Sequence, residues 1–280
     1  MHTDNGTLRL MCILAHPDDE SLGTGGALAR YAAEGIETYL ITATRGQRGW
    51  FGPPEDNPGL DALGQIREAE LRAAAQALGI QELVLLDYVD GELDRADKAE
   101  VIRHLVTHLR RVRPHVVVTF DPFGVYGHPD HIAICQLTTA AVQCAANCDY
   151  PDPSGAKPHG VAKLYYIAES QDMFDIYTRV FGDLVMVIDG EERRGMPWPA
   201  WSITTAIDTG RYRAQIWNAV KCHQTQIREY GKLLDLPDED QLRLWHTNTY
   251  YRVFSRVPTT GGLETDLFDG LRSTPGDTHS

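Results

Sequence analysis

Apolar runs of strand length alternate with helical patterns over the first 150 residues of the chain. The runs rich in aliphatic and β-branched residues predict four strands, at 8–15, 36–44, 83–86 and 115–120. Leucine and alanine at helical spacing predict helices after them, at 27–33, 66–78, 101–112 and 129–146. Strands this apolar, separated by helices, are typical of a parallel sheet buried on both faces. We therefore expect an α/β fold with a Rossmann-like parallel sheet covered by helices on both faces.

The second half of the chain predicts smaller elements added to this core. Strand-like runs lie at 164–167, 184–188 and 203–207, and a long helical pattern follows at 210–230. The intervening segment 149–159 contains three prolines, which predicts a loop or an insertion.

The domain organisation follows from where these patterns stop. Beyond residue 256 the chain is rich in Thr, Gly, Ser and Pro, which predicts a weakly ordered tail at 257–280. We interpret the preceding residues, 1–256, as one domain with a core at 8–150 and a C-terminal elaboration at 151–256. A chain of this length can bury a substantial core without disulfides.

Charge and cysteine content narrow the partners and the compartment. The 280 residues have a net charge of −13, which argues against a nucleic-acid partner. The five cysteines lack CxxC spacing, which favours free thiols in a reducing compartment. The N-terminal residues have no signal-peptide pattern, and no apolar run approaches about 18 residues. We therefore expect a soluble cytoplasmic protein without a membrane partner.

Two motifs rich in histidine and carboxylate follow the first and fourth predicted strands. They read AHPDDE at 15–20 and YGHPDH at 126–131. A single His-Pro-Asp can be an ordinary turn, but two extended copies, each closing an apolar run, indicate a metal site with acid–base groups. In a doubly wound sheet of order 3-2-1-4-5, strands one and four are neighbours and their connections open a crevice at the carboxyl ends. The motifs should meet there, which predicts a metal-dependent hydrolase.

The residue types suggest the metal. Two imidazoles and one carboxylate with an open position suit catalytic Zn²⁺, and Fe²⁺ can use the same donors. The adjacent carboxylates at 18–20 cannot all face one ion, so one can bind while its neighbour accepts a proton. Of His128 and His131, one could bind the metal while the other meets the developing oxyanion. The motifs alone leave these assignments open.

The chain resembles the LmbE-like, or GlcNAc-PI de-N-acetylase, family of zinc-dependent deacetylases, whose AHPDDE and later HxDH motifs are both present. Further matching segments are 67–71, 78–79, 90–91 and 221–226. The resemblance covers roughly residues 8–230. It implies hydrolysis of the N-acyl amide of an amino sugar, as in mycothiol and bacillithiol synthesis.

The resemblance also implies roles for individual residues. His16, Asp19 and His131 correspond to the zinc ligands. Asp18 corresponds to the general base that activates the water. His128, as an imidazolium, would stabilise the tetrahedral oxyanion or protonate the leaving amine.

Three further residues have supporting roles. By resemblance, Tyr126 assists the oxyanion, Asp130 orients a histidine, and Arg67 contacts the substrate. Tyr126 could instead simply pack at a strand end. Arg67 could form a surface ion pair with Glu70 or Glu68, which would contribute well under ~1 kcal/mol.

Three other patterns have plainer interpretations. Residues 22–26 are glycine-rich but fail the G-x-G-x-x-G spacing of a dinucleotide loop. His104 and His108 have helical spacing without a carboxylate motif, which favours a solvated face. The loop at 45–54 could form a sugar-stacking wall or lid, or pack against another subunit. Its Arg45 and Arg48 are the cations to examine if the substrate is anionic.

We therefore predict a zinc-dependent N-deacetylase that acts on an N-acetylglucosamine-type conjugate, with a small-molecule amino-sugar or N-acyl substrate and a potential for homo-oligomers. One alternative is an amidase that cleaves a larger N-acyl or thiol-conjugate amide. Another is a catalytically silent sugar-binding protein, although sugar binding would need neither Asp18 nor His128. A phosphoesterase usually needs two metals and more ligands than these motifs provide.

Overall fold

The computed structural model describes residues 6–188, 190–259 and 261–272. Its strands are β1 Arg9–Leu14, β2 Glu37–Thr44, β3 Glu82–Tyr88, β4 Val116–Thr119, β5 Lys163–Ile167, β6 Val185–Ile188, β7 Glu191–Arg194, β8 Thr205–Asp208 and β9 Thr247–Ser255. Its α-helices are α1 Asp19–Gly23, α2 Gly25–Ala33, α3 Leu60–Leu78, α4 Lys98–Val112, α5 Gly124–Gly127, α6 Pro129–Ala146, α7 Gln171–Phe181, α8 Arg213–Cys222, α9 Ile227–Tyr230 and α10 Asp238–Arg243.

The central sheet confirms the predicted strand order. Within the described residues it has seven strands in the order β3-β2-β1-β4-β5-β9-β8. The strands β1 to β5 are parallel, and β9 is antiparallel to both of its neighbours. The parallel part therefore has the order 3-2-1-4-5, and β1 and β4 lie side by side. The strands β6 and β7 form a separate hairpin.

Burial and helix ends explain why these segments adopt this fold. Residues 10–14 of β1 are all buried, as a strand covered on both faces requires. The helix α3 ends at Gly79, whose left-handed backbone (φ 74°) suits glycine and forms the predicted C-cap. Helices α2 and α3 pack on α8, and α4 packs on α6, which supplies the two flanking groups.

The predicted helix over 210–230 is wrong as one continuous element. A turn at 223–226 separates α8 from α9. In this turn the His223 side chain reaches Glu20, with 2.8 Å between Nε2 and Oε1. Gln226 Nε2 donates a hydrogen bond to the Gly49 carbonyl at 2.7 Å. These contacts with distant parts of the chain outweigh the local helical pattern.

The C-terminal part also differs from the sequence prediction. The pattern predicts neither α7 nor β9, although β9 joins the central sheet. Residues 261–272 lie on the core: Leu267 and Phe268 are fully buried, and Glu264 accepts a hydrogen bond from Lys163 at 2.8 Å. These anchors explain why the predicted weak order does not apply to 261–272. Residues 260 and 273–280 of that predicted tail lie outside the described residues.

The helices can also be tested against the dimensions of a bilayer. Among the residues that the structure describes, no helix combines the length and apolarity that a membrane span requires.

Candidate metal and catalytic site

The first motif forms a tight turn directly after β1. Asp18 in this turn has a left-handed backbone (φ 110°), which is rare outside glycine and persists where neighbouring contacts enforce it. Glu20 accepts a hydrogen bond from the Asp18 backbone amide at 3.0 Å and pairs with buried His223. Although burial opposes both charges, their pairing lowers the pKa of Glu20 and raises that of His223. This buried pair fixes the turn that presents Asp18 and Asp19.

The second motif lies at the start of α6, next to the end of β4. His128 is the N-cap residue, and its Nδ1 accepts a hydrogen bond from the Asp130 backbone amide at 3.2 Å. Pro129 occupies the first helical turn, as predicted. The His131 ring stacks on Phe120, with centroids 3.8 Å apart and planes 6° apart. The helix start and this stacking together orient both histidines.

Three predicted metal ligands point at one another. His16 Nδ1 lies 3.1 Å from His131 Nε2. The carboxylate of Asp19 lies 3.7 Å from His16 Nδ1 through Oδ2 and 3.6 Å from His131 Nε2 through Oδ1. Tetrahedral zinc, with bonds of about 2.0–2.1 Å, places its ligand atoms about 3.3 Å apart. The donor atoms therefore have the spacing and chemistry that a catalytic divalent metal requires.

The electrostatics of Asp19 and His131 favour a bound cation, whereas a metal on His16 would have to displace a proton. Although burial opposes the shift, Asp130 and Asp90 raise the pKa of His16 to about 10. Burial raises the pKa of Asp19 to about 7 even though His16 lies close by. Burial lowers the pKa of His131 well below its usual range, so its ring is neutral and free to bind a metal. A neutral imidazole and a carboxylate short of positive charge are suitable ligands for a divalent ion.

The other nitrogen of His16 faces two further carboxylates. Nε2 lies 3.1 Å from Asp130 Oδ2 and 3.2 Å from Asp90 Oδ1. Both carboxylates are themselves held by the backbone, since Asp130 accepts from the amides of Gly91 and Leu93, and Asp90 accepts from the amide of residue 48. Carboxylates in this position orient metal-binding histidines in many proteins. Asp130 therefore lies beside a histidine, as its predicted role requires, and Asp90 contacts the same nitrogen of His16.

The described residues contain two groups of side chains that could hold a metal. One comprises His16, His128 and His131, and the other comprises His16, Asp90 and Asp130. The two groups use opposite sides of the His16 ring. The side that faces His131 also carries the Asp19 carboxylate, whose Oδ1 lies 3.6 Å from His131 Nε2.

Asp18 is held by two side chains from distant parts of the chain. Arg67 Nη2 and the Tyr230 hydroxyl both donate to Asp18 Oδ2, each at 2.8 Å. Arg67 also donates to the carbonyls of Pro17 and Gly46. Arg67 is therefore not the surface ion pair considered as its alternative role. Both bonds fall on Oδ2, which leaves Oδ1 as the oxygen that can accept a proton.

His128 and Tyr126 complete the arrangement. The His128 ring lies 4.6 Å from the His16 ring and 4.7 Å from the His131 ring between centroids. Burial and the nearby His16 lower the pKa of His128 to about 4. Because Nδ1 accepts a backbone hydrogen bond, a neutral His128 carries its proton on Nε2. Tyr126 packs edge-on against both histidines of its motif, at 6.0 Å from His128.

All these groups open onto one cavity of about 420 Å³, within the range of small-ligand pockets. Of the eight predicted site residues, seven line it, namely His16, Asp18, Asp19, Arg67, Tyr126, His128 and His131. Asp130 contacts His16 through its second nitrogen. In the loop at 45–54, Gly49 and Phe51 line the cavity, which agrees with the wall interpretation of that loop. By contrast, His104 bonds the Tyr88 hydroxyl on the surface.

Sequence reasoning misses several residues of the site. Asp90 lies in a segment that matches the resembled family, but its chemistry is not evident without His16 beside it. Tyr230 and Glu169 have no local signal, since each reaches the cavity only through the tertiary fold.

The part of the chain that contains both motifs is similar to known proteins. The family model described as PIG-L, GlcNAc-PI de-N-acetylase, matches residues 11–142, which contain all eight predicted site residues. A relative from Kineococcus radiotolerans, "1D-myo-inositol 2-acetamido-2-deoxy-alpha-D-glucopyranoside deacetylase", is 35% identical over 301 residues, covering 94% of this chain and 83% of the relative. The chain belongs to the GlcNAc-PI de-N-acetylase family. This confirms the predicted family and the predicted class of N-deacetylase.

Solved structures confirm the fold and show its breadth. N,N'-diacetylchitobiose deacetylase from Pyrococcus horikoshii aligns with a TM-score of 0.65 at 19% identity, over 89% of this chain and 85% of its own. GalB, the 4-carboxy-2-hydroxymuconate hydratase from Pseudomonas putida KT2440, aligns with a TM-score of 0.67 at 20% identity, over 90% of this chain and 99% of its own. One fold therefore supports both a deacetylase and a hydratase, and the reaction must be argued from the site.

Proposed function

We propose that this protein removes the N-acetyl group from an N-acetylglucosamine unit linked to a small carrier, by metal-dependent hydrolysis. The relatives named as deacetylases of an inositol glycoside make such a conjugate the first substrate to test. The observation that supports the proposal most is the meeting of three metal donors with Asp18 and His128 in one cavity.

We assign the metal to His16 Nδ1, His131 Nε2 and the Asp19 carboxylate. Two imidazoles and one carboxylate favour Zn²⁺, with Fe²⁺ as the alternative. When bound there, a divalent cation would polarise the amide carbonyl and make a water more acidic.

Asp18 serves as the general base in this proposal. Arg67 and Tyr230 anchor its Oδ2 and hold the carboxylate beside the metal donors. Its other oxygen then accepts a proton from the attacking water, in the orientation that general-base catalysis requires. The same proton can pass to the leaving nitrogen, so that the amine departs neutral and the carboxylate is regenerated.

His128 and Tyr126 stabilise the developing oxyanion in this proposal. A neutral His128 already presents an Nε2 proton, so it can donate a hydrogen bond to the developing oxyanion without first becoming an imidazolium. Tyr126 lines the same cavity, and its hydroxyl offers a second hydrogen-bond donor to the oxyanion. Arg67 lines the same cavity, and we assign it a contact with the substrate.

A combined assay of metal and activity tests the proposal. Purified protein is reconstituted with Zn²⁺ and assayed for free amine and acetate from the N-acetylglucosaminyl inositol conjugate, with Asp18→Asn as the comparison. We expect amine and acetate in equal amounts from the wild type, and at least about 10³-fold slower release from the variant. The variant should retain its metal.

Three results would contradict parts of this proposal. Full activity in Asp18→Asn would remove Asp18 as the base. Sugar binding without acetate release would favour the silent binding protein. Release of amine only from larger acyl conjugates would favour the amidase alternative.

A further inference from the structure

One part of the cavity lining, here called the carrier end, differs in character from the residues around the metal donors. Its wall is formed by large apolar side chains of α7, β6 and the segment between them, which lie outside the part of the chain matched by the family model. These residues are Tyr177, Phe181, Leu184 and Met186. Such a wall suits the apolar face of a ring better than a charged group.

One carboxyl group, that of Glu169, lines the same cavity near Tyr177 and the Asp121 carboxyl. Glu169 follows β5 and lines the cavity, and its backbone is fixed by a hydrogen bond from the Trp198 amide to the Glu169 carbonyl at 2.8 Å. Among the described residues, no hydrogen bond or ion pair engages the Glu169 carboxyl. Burial, with a smaller contribution from Asp121, raises the pKa of Glu169 to about 7. A partly buried carboxyl without a partner costs stability, which indicates a task that folding does not explain.

The charges around the cavity restrict what can bind at this end. The carboxylates that line it are Asp18, Asp19, Asp90, Glu169 and Glu229. Arg67 is the one arginine or lysine that lines the cavity in the described part of the chain, and it is bonded to Asp18. The nearby loop arginines are also paired, Arg45 with Asp87 and Arg48 with Glu92. An anionic carrier would therefore meet carboxylates without a free cation to balance it.

We propose that Glu169 is a specificity-determining residue, which accepts a hydrogen bond from a hydroxyl group of an uncharged, ring-shaped carrier and rejects anionic carriers. The apolar wall packs against the carbon face of the ring, and Glu169 pairs with a hydroxyl on its edge. Rejection arises because a second negative charge beside Glu169 would be desolvated without compensation. This inference rests on the proposed deacetylase function and adds the residue that selects the carrier.

A matched series of three substrates tests the inference. They are N-acetylglucosaminides whose aglycone is cyclohexyl, 4-hydroxycyclohexyl or 4-carboxycyclohexyl, assayed for acetate release at about pH 8, where Glu169 is largely ionised. The enzymes are the zinc-loaded wild type, Glu169→Gln, Glu169→Leu and Glu192→Gln. Glu192 lies on β7 and pairs with Arg194 in solvent, so its variant is the matched control.

The expected pattern concerns ratios of kcat/KM. The wild type should prefer the hydroxylated ring over the carboxylated ring by about 100-fold, and over the plain ring by about tenfold. Glu169→Gln should reduce the first preference at least about tenfold, because it removes the charge and keeps an acceptor. Glu169→Leu should abolish the preference for the hydroxylated ring over the plain ring. Glu192→Gln should retain both ratios.

The outcomes separate the two proposals. If the wild type releases no acetate from any of the three, the deacetylase proposal fails. If it hydrolyses all three and both Glu169 variants keep the wild-type ratios, the function stands and the inference is wrong. A purely structural Glu169 would lower the melting temperature of both variants without changing the ratios, which also overturns the inference.

Discussion

The two ends of the cavity differ in how completely their polar groups are satisfied. At the metal end, Asp18, Asp130 and His16 each contact two or more partners from separate elements. At the carrier end, the Glu169 carboxyl has no hydrogen-bond or ion-pair partner within the described residues, although Asp121, Tyr177 and Tyr250 lie near it. Catalytic groups need fixed geometry, whereas a specificity pocket leaves hydrogen-bonding capacity for its ligand.

The two ends also differ in their relation to the family. All eight predicted site residues lie within 11–142, the part that the family model matches. The carrier-end residues begin at β5 and continue through α7 and β6, beyond that match. Shared chemistry with variable specificity is the expected result when a rigid core supplies the reaction and later segments supply the pocket wall.

The largest expected effect is the loss of a metal ligand. His131→Ala should lose stoichiometric zinc and lower kcat/KM at least about 10⁴-fold, because the assigned ligand set then keeps only the His16 imidazole and the Asp19 carboxylate. Metal analysis and acetate release measure both effects. His104→Ala removes a surface histidine that bonds Tyr88, and it should change neither quantity. Unchanged metal content in His131→Ala would contradict the assigned ligand set.

A smaller effect, on zinc affinity, is expected from the carboxylate that contacts the metal ligand His16. Asp130→Ala removes the carboxylate 3.1 Å from His16 Nε2, and we expect about 10- to 100-fold weaker zinc affinity. Competition with a chelator measures the affinity. Asp97→Ala, which removes the N-cap of α4, is the control, since a general loss of stability would affect both variants. Equal zinc affinities in Asp130→Ala and wild type would show that Asp90 alone orients His16.

Tyr230 should affect the rate but not the metal. Tyr230→Phe removes one of two hydrogen bonds to Asp18 Oδ2, so we expect kcat about tenfold lower with KM and zinc content near wild type. Steady-state kinetics measures kcat and KM, and metal analysis measures the zinc content. Tyr166→Phe deletes a hydroxyl that bonds Thr139 and serves as the control. A rise in KM alone would instead place Tyr230 on the substrate.

The smallest predicted effect is on stability, at the carrier end. Burial and Asp121 raise the pKa of Glu169 to about 7, so folded Glu169 holds a proton between about pH 4.3 and 7 that the unfolded chain has released. Wild-type stability should therefore fall as pH rises through that window. The Glu169→Gln variant leaves the neighbouring Asp121, Tyr177 and Tyr250 unchanged. Its free energy of unfolding should exceed that of the wild type by on the order of 2 kcal/mol at about pH 8.

Urea unfolding at about pH 4.5 and about pH 8 measures this difference. The exposed Glu192→Gln should follow the wild type at both values. A Glu169→Gln protein that is less stable than wild type at pH 8 would show that the carboxylate stabilises the fold, against the role proposed here.

The sequence predicts the metal end better than the carrier end for a physical reason. Local apolar patterns determine β1 and β4, and strand order then places the turns after them side by side. His16 and His131 could therefore be brought together without coordinates. The helix α6 likewise begins at Pro129, because proline and the preceding N-cap define a helix start locally.

What could not be predicted depends on contacts between distant segments. The break after α8 arises from His223 and Gln226 bonding to residues far earlier in the chain. In the sequence, Glu169 is an ordinary acidic residue before a helix, and only the fold buries it in the cavity. Burial and missing partners are properties of tertiary structure, and no local spacing encodes them.

The position of the metal is the most direct test of this account, because the His16 ring has candidate donors on both sides. Crystals of the zinc-loaded protein, measured at the zinc absorption edge, would give an anomalous peak at the ion. We predict the peak within about 2.0–2.2 Å of His16 Nδ1, His131 Nε2 and an Asp19 oxygen. A peak on the opposite side of the ring, between Asp90 and Asp130, would contradict both the ligand set and the role of Asp18.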